Sequence, residues 1–157
     1  LGHFPHVTGL THDERGYPAM NAAAQTKLVE RLIAKIRDHR DEIIELEEDG
    51  VEDADIIFVS YGITARVCHP AIDRARREGL KIGFLRLITV WPFAGKRIAE
   101  LAARVKGFVV PEMNMGQMVR EVERAVAGRA PVRLVPNAGG EVHDPEVIYR
   151  AIIEVAK

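Results

Sequence analysis

The chain has 157 residues, with 22 Lys and Arg against 23 Asp and Glu and a formal net charge of −1 at pH 7. This length suits one domain with a sizeable core plus some appended chain. The balanced charge argues against the basic surface that nucleic-acid binding requires. No apolar run approaches the roughly 20 residues that cross a bilayer. We therefore expect neither a nucleic-acid partner nor a membrane partner.

Cys68 is the only cysteine. A single thiol gives no disulfide framework and cannot by itself ligate an iron-sulfur cluster or a four-cysteine zinc site. A reducing compartment fits this usage, and we expect a cytoplasmic protein. The chain begins with Leu rather than Met, which suggests a piece of a longer polypeptide or a processed chain.

The charge changes near Gly50. Residues 1–50 hold 6 Lys and Arg against 10 Asp and Glu, whereas residues 51–157 hold 16 against 13. We interpret residues 1–49 as an interdomain connector with a linker helix and residues 50–157 as an α/β domain.

The connector carries one clear helical pattern. Residues 1–19 show no hydrophobic period, and the helical pattern begins at Asn21 and ends around residues 39–41. Residues 43–47 could be the last helical turns or a short alternating edge strand, and we favour the strand. The helical pattern is an apolar stripe that must pack on something, formed by Leu28, Val29, Leu32, Ile33 and Ile36.

The domain repeats a strand followed by a helix four times. The predicted strands are residues 55–61, 80–87, 108–110 and 132–135, and the predicted helices follow at about 64–78, 94–103, 116–127 and 145–156. Pro70 lies within the first of these helices, so we expect a bend there or a helix start nearer His69. Asp144 is a plausible N-cap of the last helix, with Pro145 at its first position.

This order predicts an α/β fold with three layers, α/β/α. The sheet is mostly parallel, with four to five strands and helices on both faces. The strand near residues 43–47 would be a fifth strand at one edge, possibly antiparallel.

The turn after the third strand is the most informative feature. Glu112 and Asn114 follow an apolar strand, Gly116 allows a tight turn, and the amides from Gln117 onward are unpaired donors at a helix start. One reading is a cradle for an anion or a carboxylate. The other is that Glu112 and Gln117 cap the helix and hold the loop.

The turn after the first strand looks like a phosphate loop but lacks both glycine-rich phosphate-binding patterns. Tyr61 and Gly62 end the strand, and Thr64 is expected to be a helix N-cap rather than a nucleophile. Arg66 would then lie in the first helical turn, against the helix dipole. We expect it to pair with a carboxylate, for which Glu112 is one candidate.

Two aromatic residues flank a proline in the turn after the second strand, Trp91, Pro92 and Phe93. An exposed pair would indicate an interface, because buried aromatic side chains dominate contact energies. The alternative is that both fill the core beneath the loop.

Several blocks, taken in order and spacing, resemble the C-terminal part of the α subunit of 2-oxoacid:ferredoxin oxidoreductases. The resemblance covers nearly the whole chain. The first block is most similar to the 2-oxoglutarate branch, and the turn after the third strand is the most family-specific. The blocks are residues 8–18, 52–55, 60–62, 91–93 and 111–117.

The resemblance implies an enzyme complex that oxidatively decarboxylates a 2-oxoacid to an acyl-coenzyme A and reduces ferredoxin. It also implies thiamine diphosphate, Mg, an iron-sulfur cluster and coenzyme A for the whole complex. The partners would be the preceding α-subunit domain, the β subunit and, through the complex, ferredoxin. The family's corresponding domain resembles the C-terminal domain of transketolase.

The chain has no Gly-Asp-Gly motif for a diphosphate-bound magnesium ion. We therefore expect no catalytic residue, no metal and no bound cofactor in this piece, which would act in assembly or in shaping the active-site approach. Alternatives are a non-catalytic protein-docking module, or the C-terminal domain of a transketolase or of a 2-oxoacid dehydrogenase E1. The candidate binding or interface residues are Tyr61, Gly62, Thr64, Arg66, Trp91, Pro92, Phe93, Glu112, Asn114, Gly116 and Gln117.

Overall fold

The computed structural model describes residues 2–157. The chain forms two compact units, the first ending at Ile43 and the second comprising Ile44–Lys157. Among the described residues, no helix is long and apolar enough to cross a membrane.

The first unit is built around helix α1 (Ala22–Arg37), followed by the short helix α2 (Arg40–Ile43). The Asn21 side chain caps α1 by accepting a hydrogen bond from the Ala24 amide at 2.9 Å, which satisfies one donor at the helix start. None of the residues of α1 is buried. The apolar stripe predicted on this helix is therefore exposed in part, and Leu32 and Ile33 expose 50% and 55% of their surface.

The connector before α1 contains a defined turn closed by Asp13. Its carboxylate accepts hydrogen bonds from the backbone amides of Arg15 at 2.9 Å and Tyr17 at 3.1 Å. The Arg15 guanidinium also donates to this carboxylate. An aspartate that accepts from its own following backbone is a usual way to fix such a turn.

The second unit is a five-stranded sheet in the order β1-β3-β2-β4-β5. Strand β1 is antiparallel to β3, and the other pairs are parallel. The predicted α/β class, with a mostly parallel sheet and an antiparallel edge strand, is confirmed. The strands are β1 (Leu46–Asp49), β2 (Ile56–Tyr61), β3 (Ile82–Leu87), β4 (Gly107–Glu112) and β5 (Val132–Pro136).

Helices cover both faces of the sheet and separate two apolar cores. One core lies under α5 and α6, around Phe108 and Leu101, and the other under α3, α4 and α7, around Phe58 and Phe84. Successive residues of β2 enter opposite cores, as the strand period of two requires. The helices are α3 (Gly62–Val67), α4 (His69–Arg77), α5 (Gly95–Leu101), α6 (Met118–Val126) and α7 (Pro145–Ala156).

Helix α7 begins as the sequence predicts. Asp144 is its N-cap and accepts a hydrogen bond from the Glu146 amide at 2.8 Å, and Pro145 is its first residue. A proline is tolerated there because its missing N–H would have no partner in the helix.

Some element boundaries differ from those predicted, and one expected alternative is confirmed. The edge strand begins at Leu46 rather than at residue 43, because Ile43 ends helix α2. The helical stretch after β2 breaks at Cys68, and the start of α4 at His69 confirms the expected helix start near that residue, with Pro70 in the first turn, where it costs no hydrogen bond. Helix α6 begins at Met118, since Gly116 has a φ of +100° and cannot be helical.

Arginine side chains fasten the short strand β1 to the rest of the unit. Arg86 donates to Glu47 at 2.9 Å and Arg76 to Asp49 at 2.6 Å. Arg97 of α5 makes two bonds to the carboxylate of Glu48, at 2.8 and 2.7 Å. Since β1 buries little apolar surface, these ion pairs add to the backbone pairing with β3.

Arg97 also joins the loop after β1 to helix α5. It donates to Glu52 at 2.5 Å, and Arg104 lies 2.7 Å from the same carboxylate. Hydrogen bonds from Arg104 and Arg97 lower the pKa of Glu52 to about 2. A network of this kind is worth more than an isolated surface pair, because each charge is held by several partners.

We expect Arg97→Met to lower the free energy of unfolding by about 1 kcal/mol, because it removes the centre of this network but keeps the apolar stem. Urea denaturation of the 157-residue chain measures the loss, which should shrink in high salt. Arg124→Met is the matched control, since Arg124 is 68% exposed and pairs only with Glu121 on its own helix. Equal losses in the two variants would show that the network adds nothing to β1.

Candidate functional site

The candidate site lies at the carboxyl edge, which we define as the ends of the parallel strands and the turns that follow them. In the register of the sheet, Tyr61 is level with Leu87, and Glu112 is level with Pro136. Phe58 is level with Val109, so Tyr61 and Glu112, each three residues further on, end side by side. The topology thus brings the polar ends of β2 and β4 together.

The order of strands along the sheet reverses between β2 and β4: the chain goes from β2 to β3 on one side and from β4 to β5 on the other. Helix α3 follows β2 and packs in one core through Ala65, whereas α6 follows β4 and packs in the other through Val119 and Val122. In open α/β sheets, the crevice at such a point is where ligands usually bind. Its contents therefore decide between the two readings of the turn after β4.

The carboxylate of Glu112 fills this crevice. The side chain is 0% exposed. Its Oε1 accepts from the Val119 amide at 2.7 Å, and its Oε2 accepts from the Met118 amide at 2.9 Å and the Gln117 amide at 3.1 Å. The anion position at the start of α6 is thus occupied by the chain's own carboxylate, next to the positive end of the helix dipole.

Asn114 and Tyr61 complete the hydrogen bonding of this carboxylate. The Asn114 Nδ2 donates to Glu112 Oε2 at 3.1 Å and to the Tyr61 hydroxyl at 3.2 Å, and that hydroxyl donates to Glu112 Oε2 at 3.2 Å. The Asn114 Oδ1 accepts from the Gly116 amide at 2.7 Å. The reading in which Glu112 caps the helix and holds the loop therefore describes the geometry better than a cradle for an external anion.

Gly116 is required by both the conformation and the space of this turn. Its φ is +100°, and a Cβ at this position would lie 2.8 Å from a methyl carbon of Leu134 and 3.1 Å from one of Val119. The backbone can approach β5 this closely only without a side chain. Gln117 follows with an exposed side chain and contributes its amide to the site.

Burial and hydrogen bonding act in opposite directions on the acidity of Glu112. Burial raises the pKa of this carboxyl, but the amides of Met118, Val119 and Gln117 and the Asn114 side chain lower it, and the net pKa lies below the ordinary value. Burial and the neighbouring charge of Glu112 raise the pKa of Tyr61. The site therefore holds a charged carboxylate beside a neutral phenol at neutral pH.

Arg66 is not a partner of Glu112. Within residues 2–157 the Arg66 side chain is exposed and has no hydrogen bond or ion pair, and the contacts of Glu112 are all made by β2 and by its own turn and helix. The expected position of Arg66 in a first helical turn is also wrong. Helix α3 ends at Val67, so Arg66 lies in its last turn, where a cation suits the dipole.

Thr64 does not cap the helix. Helix α3 begins at Gly62, with Tyr61 at the cap position and no side-chain cap bond, so Thr64 is a helical residue that is 4% exposed. Gly62 has a φ of +56°, which lets the chain pass directly from strand to helix. The Thr64 carbonyl accepts a hydrogen bond from the Cys68 thiol at 2.8 Å.

The two aromatic residues around Pro92 have opposite environments. Trp91 exposes 68% of its surface, whereas Phe93 exposes 6% and belongs to the core under α5 and α6. Pro92 is also buried. The interface reading thus suits Trp91, and the core reading suits Phe93.

Four apolar residues that sequence reasoning did not single out are also exposed at the carboxyl edge. Their signal was available in the sequence, because each is an apolar residue in a turn or helix start directly after a strand end. They are Ile63, Ile88, Val90 and Met115, exposed by 49%, 43%, 38% and 72%.

The start of α6 and the single cysteine do not fit the cofactor groups that the resemblance implies. The amides at the start of α6 already bind Glu112, so they cannot receive a phosphate of coenzyme A or of thiamine diphosphate. Cys68 is buried, and burial raises the pKa of its thiol, which disfavours the thiolate that a cluster needs. Among the described residues, no group of three or more His, Cys, Asp or Glu side chains could hold a metal ion.

We expect Glu112→Gln to lower the free energy of unfolding by about 2 to 3 kcal/mol, because an amide group would face backbone donors with donors of its own. Urea denaturation at pH 7 measures the loss. Glu123→Gln, at an exposed position of the same helix, is the matched control and should change little.

The stability difference between the wild type and Glu112→Gln should depend on pH in a defined direction. The pKa of Glu112 is lower in the folded chain than in the unfolded chain, where it is about 4.3. Its contribution is therefore complete above that value and is lost as the pH falls through the folded pKa. The gap between wild type and Glu112→Gln should narrow in acid, and a constant gap would contradict this account.

We expect Phe93→Ala to lower the free energy of unfolding by about 3 kcal/mol, because it empties part of a core. Trp91→Ala should change it by less than about 0.5 kcal/mol, because the removed ring contacts mostly water. Circular dichroism during urea denaturation compares the two variants. Similar losses would mean that Trp91 is held by the domain itself.

Comparison with known proteins identifies the relatives of this chain. It is 46% identical over 148 residues to the 2-oxoglutarate synthase subunit KorA of Methanothermobacter marburgensis, which covers 94% of this chain and 40% of that protein. It is 47% identical over 152 residues to the subunit of the same name from Methanocaldococcus jannaschii, covering 97% of this chain and 41% of that protein. The chain thus spans about two fifths of the length of these relatives.

Solved structures share the fold. The 2-oxoglutarate:ferredoxin oxidoreductase from Magnetococcus marinus, with 2-oxoglutarate, coenzyme A and succinyl-CoA bound, matches with a TM-score of 0.82 and 27% identity over 97% of this chain and 27% of that chain. A split gene transketolase, an inactive β4 tetramer, matches with a TM-score of 0.60 over 71% of this chain and 41% of that chain. At 17% identity, the second match shows the fold alone.

The family model for the pyruvate:ferredoxin oxidoreductase core domain II matches residues 54–148. This range holds β2 to β5 and the start of α7, and with them the whole carboxyl edge of the parallel strands. Because the match spans more than half of the chain, this chain belongs to the pyruvate:ferredoxin oxidoreductase core domain II family.

Proposed function

We propose that this chain is the C-terminal part of the α subunit of a 2-oxoglutarate:ferredoxin oxidoreductase. Such an enzyme oxidatively decarboxylates 2-oxoglutarate, transfers the succinyl group to coenzyme A and passes the electrons to ferredoxin. The observation that carries the proposal is the identity of 46% and 47% to two 2-oxoglutarate synthase subunits over nearly the whole chain. The structural match to an oxidoreductase with 2-oxoglutarate, coenzyme A and succinyl-CoA bound supports the same substrate class.

The proposed role of this part is assembly and the shaping of the active-site approach, without chemistry of its own. The crevice that would suit a ligand holds Glu112, and its backbone donors are used within the chain. Thiamine diphosphate, Mg, the iron-sulfur cluster and coenzyme A would be bound elsewhere in the enzyme. The partners would be the preceding α-subunit domain and the β subunit, with ferredoxin reached through the complex.

Two coarser features belong to the same proposal. We retain a connector over residues 1–49 and a domain over 50–157, with β1 joining the sheet from the connector side. We also retain a cytoplasmic location, which the buried free thiol of Cys68 supports, because an unpaired cysteine suits a reducing compartment.

We expect the purified 157-residue chain neither to decarboxylate 2-oxoglutarate nor to reduce a viologen dye. The full-length α subunit that contains this sequence, assembled with its β subunit, should do both when coenzyme A is supplied. Dye reduction followed by absorbance measures both preparations. Turnover by the 157-residue chain alone would contradict the proposed role, and an assembled enzyme inactive on 2-oxoglutarate would contradict the proposed substrate.

Calorimetric titration with coenzyme A separates an assembly role from a cofactor-binding role. We expect no binding by the 157-residue chain, or binding with a Kd in the millimolar range. A helix start contributes only about 0.3 to 1 kcal/mol toward an anion even when its donors are free, and here they are occupied. Micromolar binding would assign part of the coenzyme A site to this chain.

A further inference from the structure

The carboxyl edge carries a set of exposed apolar side chains. We call them the apolar edge patch: Ile63, Ile88, Val90, Trp91 and Met115, each with more than a third of its surface exposed. Ile88 and Ile63 follow the level pair Leu87 and Tyr61, and Met115 follows β4, the strand next to β2. The ends of three neighbouring strands, β3, β2 and β4, therefore present apolar residues at one edge of the sheet.

The backbone beneath the patch is fixed by internal contacts. The amides of Ile88 and Thr89 both donate to the Glu45 carbonyl at 3.1 Å. The turn that carries Met115 is closed by the bond from the Gly116 amide to Asn114 Oδ1 at 2.7 Å. Surfaces that are ordered before binding lose less entropy when they dock, so the patch is suited to a defined partner.

The polar side chains at the ends of β2 and β4 are not available to a small polar ligand. Tyr61, Asn114 and Glu112 satisfy one another and the amides of α6. What the edge offers is a large aromatic ring, a flexible thioether and branched aliphatic side chains. Trp and Met are enriched at the centres of protein interfaces, where such side chains become buried.

Arg66 adds one charge at the rim of the patch. It lies one turn after Ile63 on α3, and within residues 2–157 its side chain is exposed and has no hydrogen bond or ion pair. A docking surface that covers Ile63 would come within reach of this guanidinium. The partner surface should therefore be apolar and should bring a carboxylate to Arg66.

The length of the relatives indicates which protein segment covers the apolar edge patch. The chain spans about two fifths of the 2-oxoglutarate synthase subunits that it matches, so about three fifths of such a subunit lies outside it. A second copy of this chain is a poorer occupant, because two copies facing each other through the patch would bring two Arg66 side chains into one interface.

We propose that the apolar edge patch is the surface on which the rest of the same subunit docks, with Arg66 receiving a carboxylate from that part. The inference rests on the proposed function, because it assumes the longer subunit. It adds to that function the face of the domain that is covered and the chemistry of the surface that covers it.

Hydroxyl-radical footprinting tests the inference, because Trp91 and Met115 are reactive side chains and Trp91 is the only tryptophan of this chain. Mass spectrometry compares their oxidation rates in the 157-residue chain, in the full-length subunit and in the assembled enzyme. We expect both rates to fall severalfold in the full-length subunit. Equal rates in all three preparations would overturn the proposal.

Two further outcomes of the same experiment would name a different occupant and overturn the assignment. Protection that appears in the 157-residue chain as its concentration rises would indicate a second copy. Protection that appears only after the β subunit is added would indicate that subunit. None of these outcomes depends on turnover. An enzyme that is inactive on 2-oxoglutarate would therefore contradict the proposed function, whereas the oxidation rates would still test the docking proposal.

Charge insertion supplies the matched comparison. Met115→Glu in the full-length subunit should return Trp91 to the oxidation rate it has in the 157-residue chain, because a buried carboxylate opposes docking. Ala103→Glu adds the same charge at an exposed position on the opposite edge of the sheet and should leave Trp91 protected. If Met115→Glu does not yield folded subunit, Ile88→Glu takes its place.

The rim charge gives a second, independent reading. Arg66→Glu should raise the Trp91 oxidation rate of the full-length subunit in low salt, and the effect should weaken as salt increases. In the 157-residue chain the same substitution should lower the urea midpoint only slightly, because Arg66 has no side-chain bond there to lose and only its interaction with the end of α3 is reversed. An unchanged Trp91 rate in the full-length subunit would remove the carboxylate from the proposed partner surface.

Discussion

The hydrogen bonding of the Glu112 carboxylate is the constraint on which the carboxyl edge depends. A buried charge is tolerated only when its oxygens are paired, and here three consecutive backbone amides and two side chains provide the pairing. In return the carboxylate fixes where α6 starts, how β4 turns and where Tyr61 lies. It thus joins the two strands between which the sheet changes direction.

This arrangement changes how the fold is used. A doubly covered parallel sheet usually leaves the crevice at its direction change for a ligand, and in this domain a side chain of the sheet itself has that position. What remains open at the same edge is apolar, from Ile63 to Met115. Both features support the proposed assembly role of a domain that matches core domain II of an oxidoreductase family.

The sequence predicts the architecture well, because β2 and β4 are built around unbroken apolar runs and some helix starts have their own signal. Asp144 followed by Pro145 marks the start of α7 without help from the rest of the fold. The start of α3 at Gly62 was not predictable in the same way. Thr64 looks like a cap, and only the packing of Ala65 and Thr64 against the core shows that the helix has already begun.

The members of the site were predictable, and so was one of the two readings of Glu112. Glu112, Asn114 and Gly116 lie in the turn as predicted from their residue types, and Glu112 caps α6 by accepting from the amides five to seven residues further along the chain. The ion pair suggested between Glu112 and Arg66 was wrong, because α3 begins at Gly62 and its last turn carries Arg66. The two aromatic residues beside Pro92 show the same limit, since only the direction of each side chain separates core from surface.

Strand β1 has a consequence for the behaviour of the chain in concentrated solution. If the sheet ended at β3, the edge would be a longer, mostly apolar strand with unpaired backbone N–H and C=O groups. Such an edge is a template for pairing with a strand of another molecule. Instead it ends in a short strand whose sequence is Leu-Glu-Glu-Asp, with each of its carboxylates held by an arginine. Strand β1 therefore offers an approaching strand few residues to pair with. Its three ion pairs would also have to be broken or displaced, so β1 protects the domain from edge-to-edge aggregation.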